Sequence, residues 1–357
     1  MSNYIEYNDR IAFHPGYYIK EIVEDYGITQ EDFAKRLDTT AKNLSLLIRG
    51  DQSLSIDMAT KLSRMMGTSV SYWLNLQREY DAIQAEQLSE RILEDERKVF
   101  SVLDYGYFVD NYGLPKLAGR NDEQIAVVRK FLNVSSLTVL LNDNLAVSLR
   151  TESCELSSED KIKSNTMVQI ATNIALSENT EKFDKKKFIR AVESVLKQTR
   201  NHDGFYPFAK RTFAEAGVKL IAIPNLSGSK TNGATKKIGD SIMLMVNDRG
   251  SYGDSLWFTM FHEIGHILNG DFGISIEQEN GEKETIADKY ARNALIPDSE
   301  YGVFVKAKDF SSKSIISFSD KINRDPGIVV GRLIHDKLIK NDAKVNVLRK
   351  KYRIRVY

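Results

Sequence analysis

The sequence predicts a mainly helical α+β chain in three parts: an all-α region over 1–80, a helical connector over 81–200 and a mixed region with a small sheet over 201–357. Three observations carry this division. Two short amphipathic segments near the N-terminus are joined by a turn of three or four residues. Charged, helix-favouring stretches dominate the middle. Near residue 260 an apolar helical run follows two short apolar segments bounded by turn residues. With 357 residues and 42% hydrophobic content, two or three domains with cores of their own are expected.

The first part reads as a series of short helices. Pro15-Gly16 opens an amphipathic segment to about Asp25, and Gly27 ends it. Thr29-Gln30-Glu31-Asp32 then starts a helix with a capping arrangement and apolar positions at Phe33, Ala34 and Leu37. The turn Asp38-Thr39-Thr40 leads into Ala41–Gly50, and further helices follow at about 55–66 and 69–79. Two short helices joined in this way make a helix-turn-helix.

The segment resembles the HigA-type antitoxins and XRE-type helix-turn-helix regulators. His14-Pro15-Gly16, Thr29-Gln30, Ala34, Leu44, Leu47, Arg49-Gly50, Leu54-Ser55, Met58-Ala59, Leu62 and Ser71–Gln77 carry the likeness. It implies a double-stranded DNA operator as ligand. Thr40, Lys42, Asn43 and Ser45 would face base edges, while Gln30 and Arg49 would touch phosphate. Leu46 stands where many relatives carry a polar residue, so no base contact is assigned to it. Residues 1–80 hold nine Lys and Arg against eleven Asp and Glu, a net of −2. Phosphate neutralisation dominates nonspecific affinity, so one module should bind weakly and a homodimer reading two half-sites would recover affinity. Trp73 and Leu76 read as core or dimer contacts.

In the connector, Ala82–Val109 is charged with scattered apolar positions, Asn111–Pro115 marks a break, and helices are expected at about 121–132, 159–177 and 184–200. Gly217–Pro224 and Gly239–Val246 read as short strands, and an exposed sheet edge would accept an extended peptide by strand addition.

The most informative stretch is His262-Glu263-Ile264-Gly265-His266, inside a helix expected from about 255 to 269 with Gly270 at its end. Residues four apart lie within about 40° of each other around a helix, so His262 and His266 face one point. Glu263 sits about 100° round from His262, placed to take a proton from a water activated by a bound ion. A catalytic zinc needs a third protein ligand. Glu284 is the choice, because it opens a segment in which Ala287, Tyr290, Ala291 and Ala294 repeat at helical spacing up to Pro297. Asp288 shares its face and would orient a liganding imidazole. Glu277, Glu279 and Glu282 are nearby rivals that precede the periodic segment.

Trp257–His266, paired with Glu284…Ala287-Asp288…Tyr290-Ala291…Leu295-Ile296-Pro297, resembles the ImmA/IrrE group of gluzincin-type metallopeptidases. The likeness implies a zincin-like C-terminal domain, Zn2+ held by His262, His266 and Glu284, and Glu263 as catalytic base. A protein substrate, cognate toxin or regulator is the implied partner. His335 is the candidate donor to the tetrahedral oxyanion, with Arg332, Tyr252 and Tyr290 as alternatives. His202 and His14 read as structural.

The joint expectation is a DNA-binding, antitoxin-like regulator with a zinc-dependent endopeptidase domain. Its alternative is a repressor whose zinc domain is structural or sensory. The single cysteine, Cys154, reads as inert and suits a reducing compartment. The polar opening Met1–Glu6, the absence of a spanning apolar run and a net charge of +1 point to a cytoplasmic protein with no membrane partner. The tail Arg349–Tyr357 carries five basic residues in nine and alternates from Tyr352, which reads as a solvated terminal strand.

Overall fold

The computed structural model describes residues 3–142, 157–276 and 281–356, which leaves Cys154, Glu277 and Glu279 outside. The chain packs as two compact units, Met1–Asp95 and Glu96–Tyr357. Residues 81–200, expected as one connector, are divided between them.

The first unit is not all-α. It opens on an antiparallel hairpin, β1 (Tyr4–Tyr7) and β2 (Arg10–Phe13). The turn residues Asn8 and Asp9 both take positive φ, 50° and 57°, the conformation that two-residue hairpin turns demand and that Asn and Asp tolerate best. Helices α1 (Pro15–Asp25), α2 (Gln30–Arg36), α3 (Ala41–Ile48) and α4 (Ile56–Met66) follow, at the expected places. Their starts are set by side-chain caps: His14, Thr29, Thr40 and Ser55 each accept a backbone N–H from the first turn. His14 is therefore structural, as expected. The segment at 69–79 is only the beginning of α5 (Val70–Phe100), 31 residues long, because no breaker interrupts the charged stretch that follows. Phe33, Leu44, Leu62 and Trp73 are buried at the centre of this unit.

The second unit surrounds a four-stranded mixed sheet. It begins with α6 (Tyr105–Tyr112), α7 (Asn121–Leu132), α8 (Ser158–Ser177), α9 (Lys185–Leu196) and α10 (Phe205–Ala214). The strands are β3 (Val218–Ile223), β4 (Thr231–Ile238), β5 (Ser241–Asn247) and β6 (Gly273–Ile276), in the order β3-β5-β4-β6. β3 runs parallel to β5; β4 is antiparallel to both β5 and β6. The expected strands are β3 and β5. β4 and β6 were not anticipated, since Thr231-Asn232-Gly233 and Lys236-Lys237 break apolar alternation and β6 has four residues. β5 is buried along its whole length, so both faces of the sheet are covered. α8 and α11 (Gly253–Asn269) pack on it, and α11 packs in turn on α12 (Glu282–Leu295) and α15 (Pro326–His335). α13 (Asp298–Lys306) and α14 (Ser312–Lys321) lie between these two in sequence.

The tail is not a solvated strand. Lys351 makes one isolated bridge with Tyr252, the Tyr352 ring stacks on Phe205, and the Tyr352 hydroxyl lies 2.7 Å from His202 Nδ1. Arg349 forms a bidentate pair with Asp254 at 3.0 and 2.8 Å, with both side chains 8% exposed. Aromatic packing and this buried pair replace the pairing that alternation suggested. His202, which also reaches Asp325, serves as a structural residue here.

A Cβ at Gly16 would lie 1.9 Å from the Leu47 carbonyl oxygen, so α1 and α3 touch through backbone. Gly16→Val is expected to cost the first unit about 1–3 kcal/mol, read as a lower denaturant midpoint. An unchanged midpoint would show that the two helices can separate freely.

Candidate functional site

The strongest constellation in the second unit grows from two helices whose sequence lets them meet closely. α11 ends at Gly270, which takes φ 73° and closes the last turn on His266 and Ile267 carbonyls. Gly265 faces α12, where a Cβ would come 3.1 Å from Ala287 Cα and 3.2 Å from Tyr290 Cδ1. Ala287 and Ala291 are fully buried in the contact. Small residues on both sides thus bring Glu284, in the first turn of α12, up to the histidines of α11.

The ligating atoms of His262, His266 and Glu284 all lie within 4.8 Å of one another. The two Nε2 atoms are 3.0 Å apart, and each faces the Glu284 carboxylate, at 2.9 Å from His262 and 3.2 Å from His266. The opposite ring nitrogens are held by carboxylates. His262 Nδ1 lies 2.9 Å from Asp288 Oδ1, and His266 Nδ1 lies 3.2 Å from Asp271 Oδ2. Each carboxylate is braced by a cation: Arg292 on Asp288 at 3.1 Å and Lys283 on Asp271 at 3.0 Å. With Nδ1 donating to a carboxylate, Nε2 presents its lone pair to the centre.

Two lone pairs and an acidic group pointing at one spot repel unless a cation lies between them. In the metal-free chain a proton fills that role. Burial disfavours the charged His262 ring, but hydrogen bonds to Asp288 and Glu284 outweigh it and raise its pKa to about 9. Glu284 is likewise opposed by burial, yet hydrogen bonds from both histidines hold its carboxyl far below the usual range. The donor set of two imidazoles and one carboxylate fits a divalent ion such as Zn2+.

Glu263 lies on the neighbouring face of α11 and is wholly buried. Strand β4 passes directly over it: a Cβ at Gly233 would sit 2.6 Å from Glu263 Oε1. The β4–β6 register shifts between Thr231 and Gly233, so a bulge brings bare backbone to this carboxylate. Two cavities, of about 380 and 470 Å³, meet at Asn232, Ser255 and Thr259, one turn before His262 on α11. Phe258, Arg292 and Ile334 wall the larger one.

His335 also lines the larger cavity, but its ring pairs with Asp336 at 3.0 Å and its side chain is 60% exposed. No described contact joins it to the three converging residues. Arg332 is held by Asp336, Tyr252 lies beneath Arg349, and Tyr290 packs on Gly265 with burial raising its pKa to about 12. Glu282 stands at the start of α12 outside the trio. Asp271 was missed in the sequence. Its signal was weak: an acidic residue directly after the Gly that ends α11.

On the first unit, α3 turns Leu44, Leu47 and Ile48 into the core, which leaves Lys42 and Asn43 exposed and Ser45 half-exposed. Gln30 is exposed at the start of α2. Thr40 uses its hydroxyl oxygen to cap α3 through the Asn43 N–H, and Arg49 pairs with Asp51 at 2.8 Å. These two are thus committed locally, while Gln30, Lys42 and Asn43 are exposed and Ser45 is half-exposed.

The sequence profile of a family described as Helix-turn-helix matches residues 19–73, spanning α2 and α3. Virulence-associated protein A′ of Dichelobacter nodosus is 40% identical over 81 residues, which make up 22% of this chain and 70% of that protein. The chain belongs to this helix-turn-helix family. The uncharacterised HTH-type transcriptional regulator YddM of Escherichia coli K12 is 33% identical to this helix-turn-helix protein over 80 residues, 22% of this chain and 85% of its own. A crystal structure of a candidate antidote protein of a plasmid maintenance system from Nostoc punctiforme is similar at 31% identity and a TM-score of 0.23, covering 24% of this chain and 92% of its own.

The titration of the cage has a definite sign. The folded His262 pKa of about 9 exceeds the ordinary 6.5, so its contribution to folding is full below pH 6.5 and lost as pH rises through 9. Glu284 contributes above 4.5 and loses its contribution in acid. Chelated, metal-free protein should show a second-unit denaturation midpoint that falls from pH 6.5 to 9, and Asp288→Asn should flatten that fall. A midpoint independent of pH over this range would contradict the assignment.

Proposed function

We propose that this chain is a DNA-binding, antitoxin-type transcriptional regulator whose second unit is a zinc-dependent endopeptidase acting on a protein partner. The observation that carries the enzymatic half is the convergence of His262 Nε2, His266 Nε2 and Glu284, with both Nδ1 atoms clamped and Glu263 buried alongside. When bound there, Zn2+ supplies a Lewis acid to a peptide carbonyl. The rest falls to the chain. Asp288 and Asp271 fix the imidazole tautomers. Glu263 takes the proton of an attacking water and returns it to the departing amine. The cleft past Thr259 seats the peptide, and His335 on its wall would donate to the developing oxyanion. A protein matched by this chain is itself named a transcriptional regulator, which supports the regulatory half, as does the outward set Lys42, Asn43 and Ser45.

One feature favours a second reading, a regulator whose metal domain is structural or sensory. His262, His266 and Glu284 are only 8%, 0% and 6% exposed, which narrows the path by which a peptide could reach an ion held there.

Glu263→Gln separates the two. It should leave zinc content unchanged while lowering peptide hydrolysis about 10²–10⁴-fold, so that terminal-peptide maps of cells expressing the wild type contain a fragment absent with the variant. Identical maps would favour the structural reading. For the DNA half, full-length protein should select a duplex from a random pool, and Lys42→Ala with Asn43→Ala should weaken binding to it by about 1–3 kcal/mol per lost base contact. Failure to select any duplex at low salt would remove the regulator.

A further inference from the structure

The tail that docks on the second unit builds a cavity that the proposed chemistry does not use. It has a volume of about 480 Å³ and lies between α10, strand β3 and residues 351–356. Its lining is divided in kind. Phe205, Tyr206 and Tyr352 contribute rings, with aliphatic side chains such as Ile221 and Leu256 between them. Every titratable side chain on its wall other than tyrosine is basic: His202, Lys210, Lys351, Arg353 and Arg355, with no Asp or Glu among the described lining residues.

Two of these basic groups are answered from outside the cavity, His202 by Asp325 at 3.2 Å and Lys210 by Glu178 at 2.7 Å. Lys351 lies 5.6 Å from the Tyr252 ring centroid. Among the described contacts Lys351, Arg353 and Arg355 have no carboxylate partner, and all three side chains are exposed at the rim. Ile354 is tied down, its N–H donating to Asp248 Oδ2 at 2.9 Å. The backbone between the two arginines is therefore anchored while their guanidinium groups stay free.

The geometry points to a binding site for a small anion carried on a flat ring. Its size falls in the range of small-molecule sites, about 300–1,000 Å³, which combine apolar and aromatic walls with a few placed polar groups. Cations of one sign around a low-dielectric recess concentrate the field on an incoming anion. The rings supply faces and edges for an aromatic body, and guanidinium groups pair with carboxylate or phosphate. A ring bearing phosphate and a ring bearing carboxylate share this chemistry.

Calorimetric titration of the full-length protein with AMP, benzoate and inorganic phosphate tests the site. AMP or benzoate should bind at least ten-fold more tightly than phosphate, and whichever is tighter identifies the source of the anion. Arg353→Ala with Arg355→Ala should weaken that binding at least ten-fold while leaving the thermal midpoint unchanged, since both side chains are exposed. Binding no tighter than that of phosphate, or binding undiminished in the double variant, would overturn the proposal. The result does not depend on peptidase activity.

Discussion

The second unit is organised around an electrostatic conflict that only a cation resolves. Two imidazole nitrogens 3.0 Å apart and the Glu284 carboxylate converge in a place almost without solvent. Such a cluster is stable only if positive charge sits within it: a proton on the free chain, or a divalent ion under the function proposed above. The rest of the local architecture follows from that need. Asp288 and Asp271 turn the rings inward, Arg292 and Lys283 hold those carboxylates, and the Gly265–Ala287 contact sets the separation of the two helices. None of these parts would be required at a merely packed helix pair.

Much of this was legible before folding because helical periodicity is local. The spacing of His262 and His266 fixes their common face whatever surrounds them, and the alanine repeat after Glu284 marks the face that approaches them. The cap at Thr29 gave the start of α2 for the same reason, whereas Thr40, read as a base contact, and Ser55 are shown to be caps only by the structure. What was not legible depends on contacts distant in the chain. β4 carries Gly233 and paired lysines, so its alternation is blurred, and only its seat between β5 and β6 makes it a strand. The hairpin at Asn8-Asp9 is a different case, since its turn dipeptide was there to be read but the strands are four residues each. The tail misled because its alternation is satisfied by Phe205 and His202 rather than by a neighbouring strand.

The two units carry their chemistry on different kinds of surface. The first exposes a short polar face on α3 over a dense apolar centre, with a local charge near neutrality. Under the proposed function, recognition there would rest on placed hydrogen bonds more than on long-range attraction to phosphate. The second buries its converging His and Glu side chains, and two cavities meet at Thr259, one turn away on α11. It also sets a basic C-terminal segment beside aromatic rings, so positive charge gathers around a recess lined by Phe205, Tyr206 and Tyr352.

The cage itself admits a direct measurement. Protein stripped with a chelator and dialysed should take up one Zn2+ per chain in competition with a chromophoric chelator, with X-ray absorption showing two imidazole nitrogens and carboxylate oxygen around the ion, and Glu284→Ala should lose that uptake. Protein that binds no zinc at stoichiometric concentration, or binds it equally well without Glu284, would contradict the account.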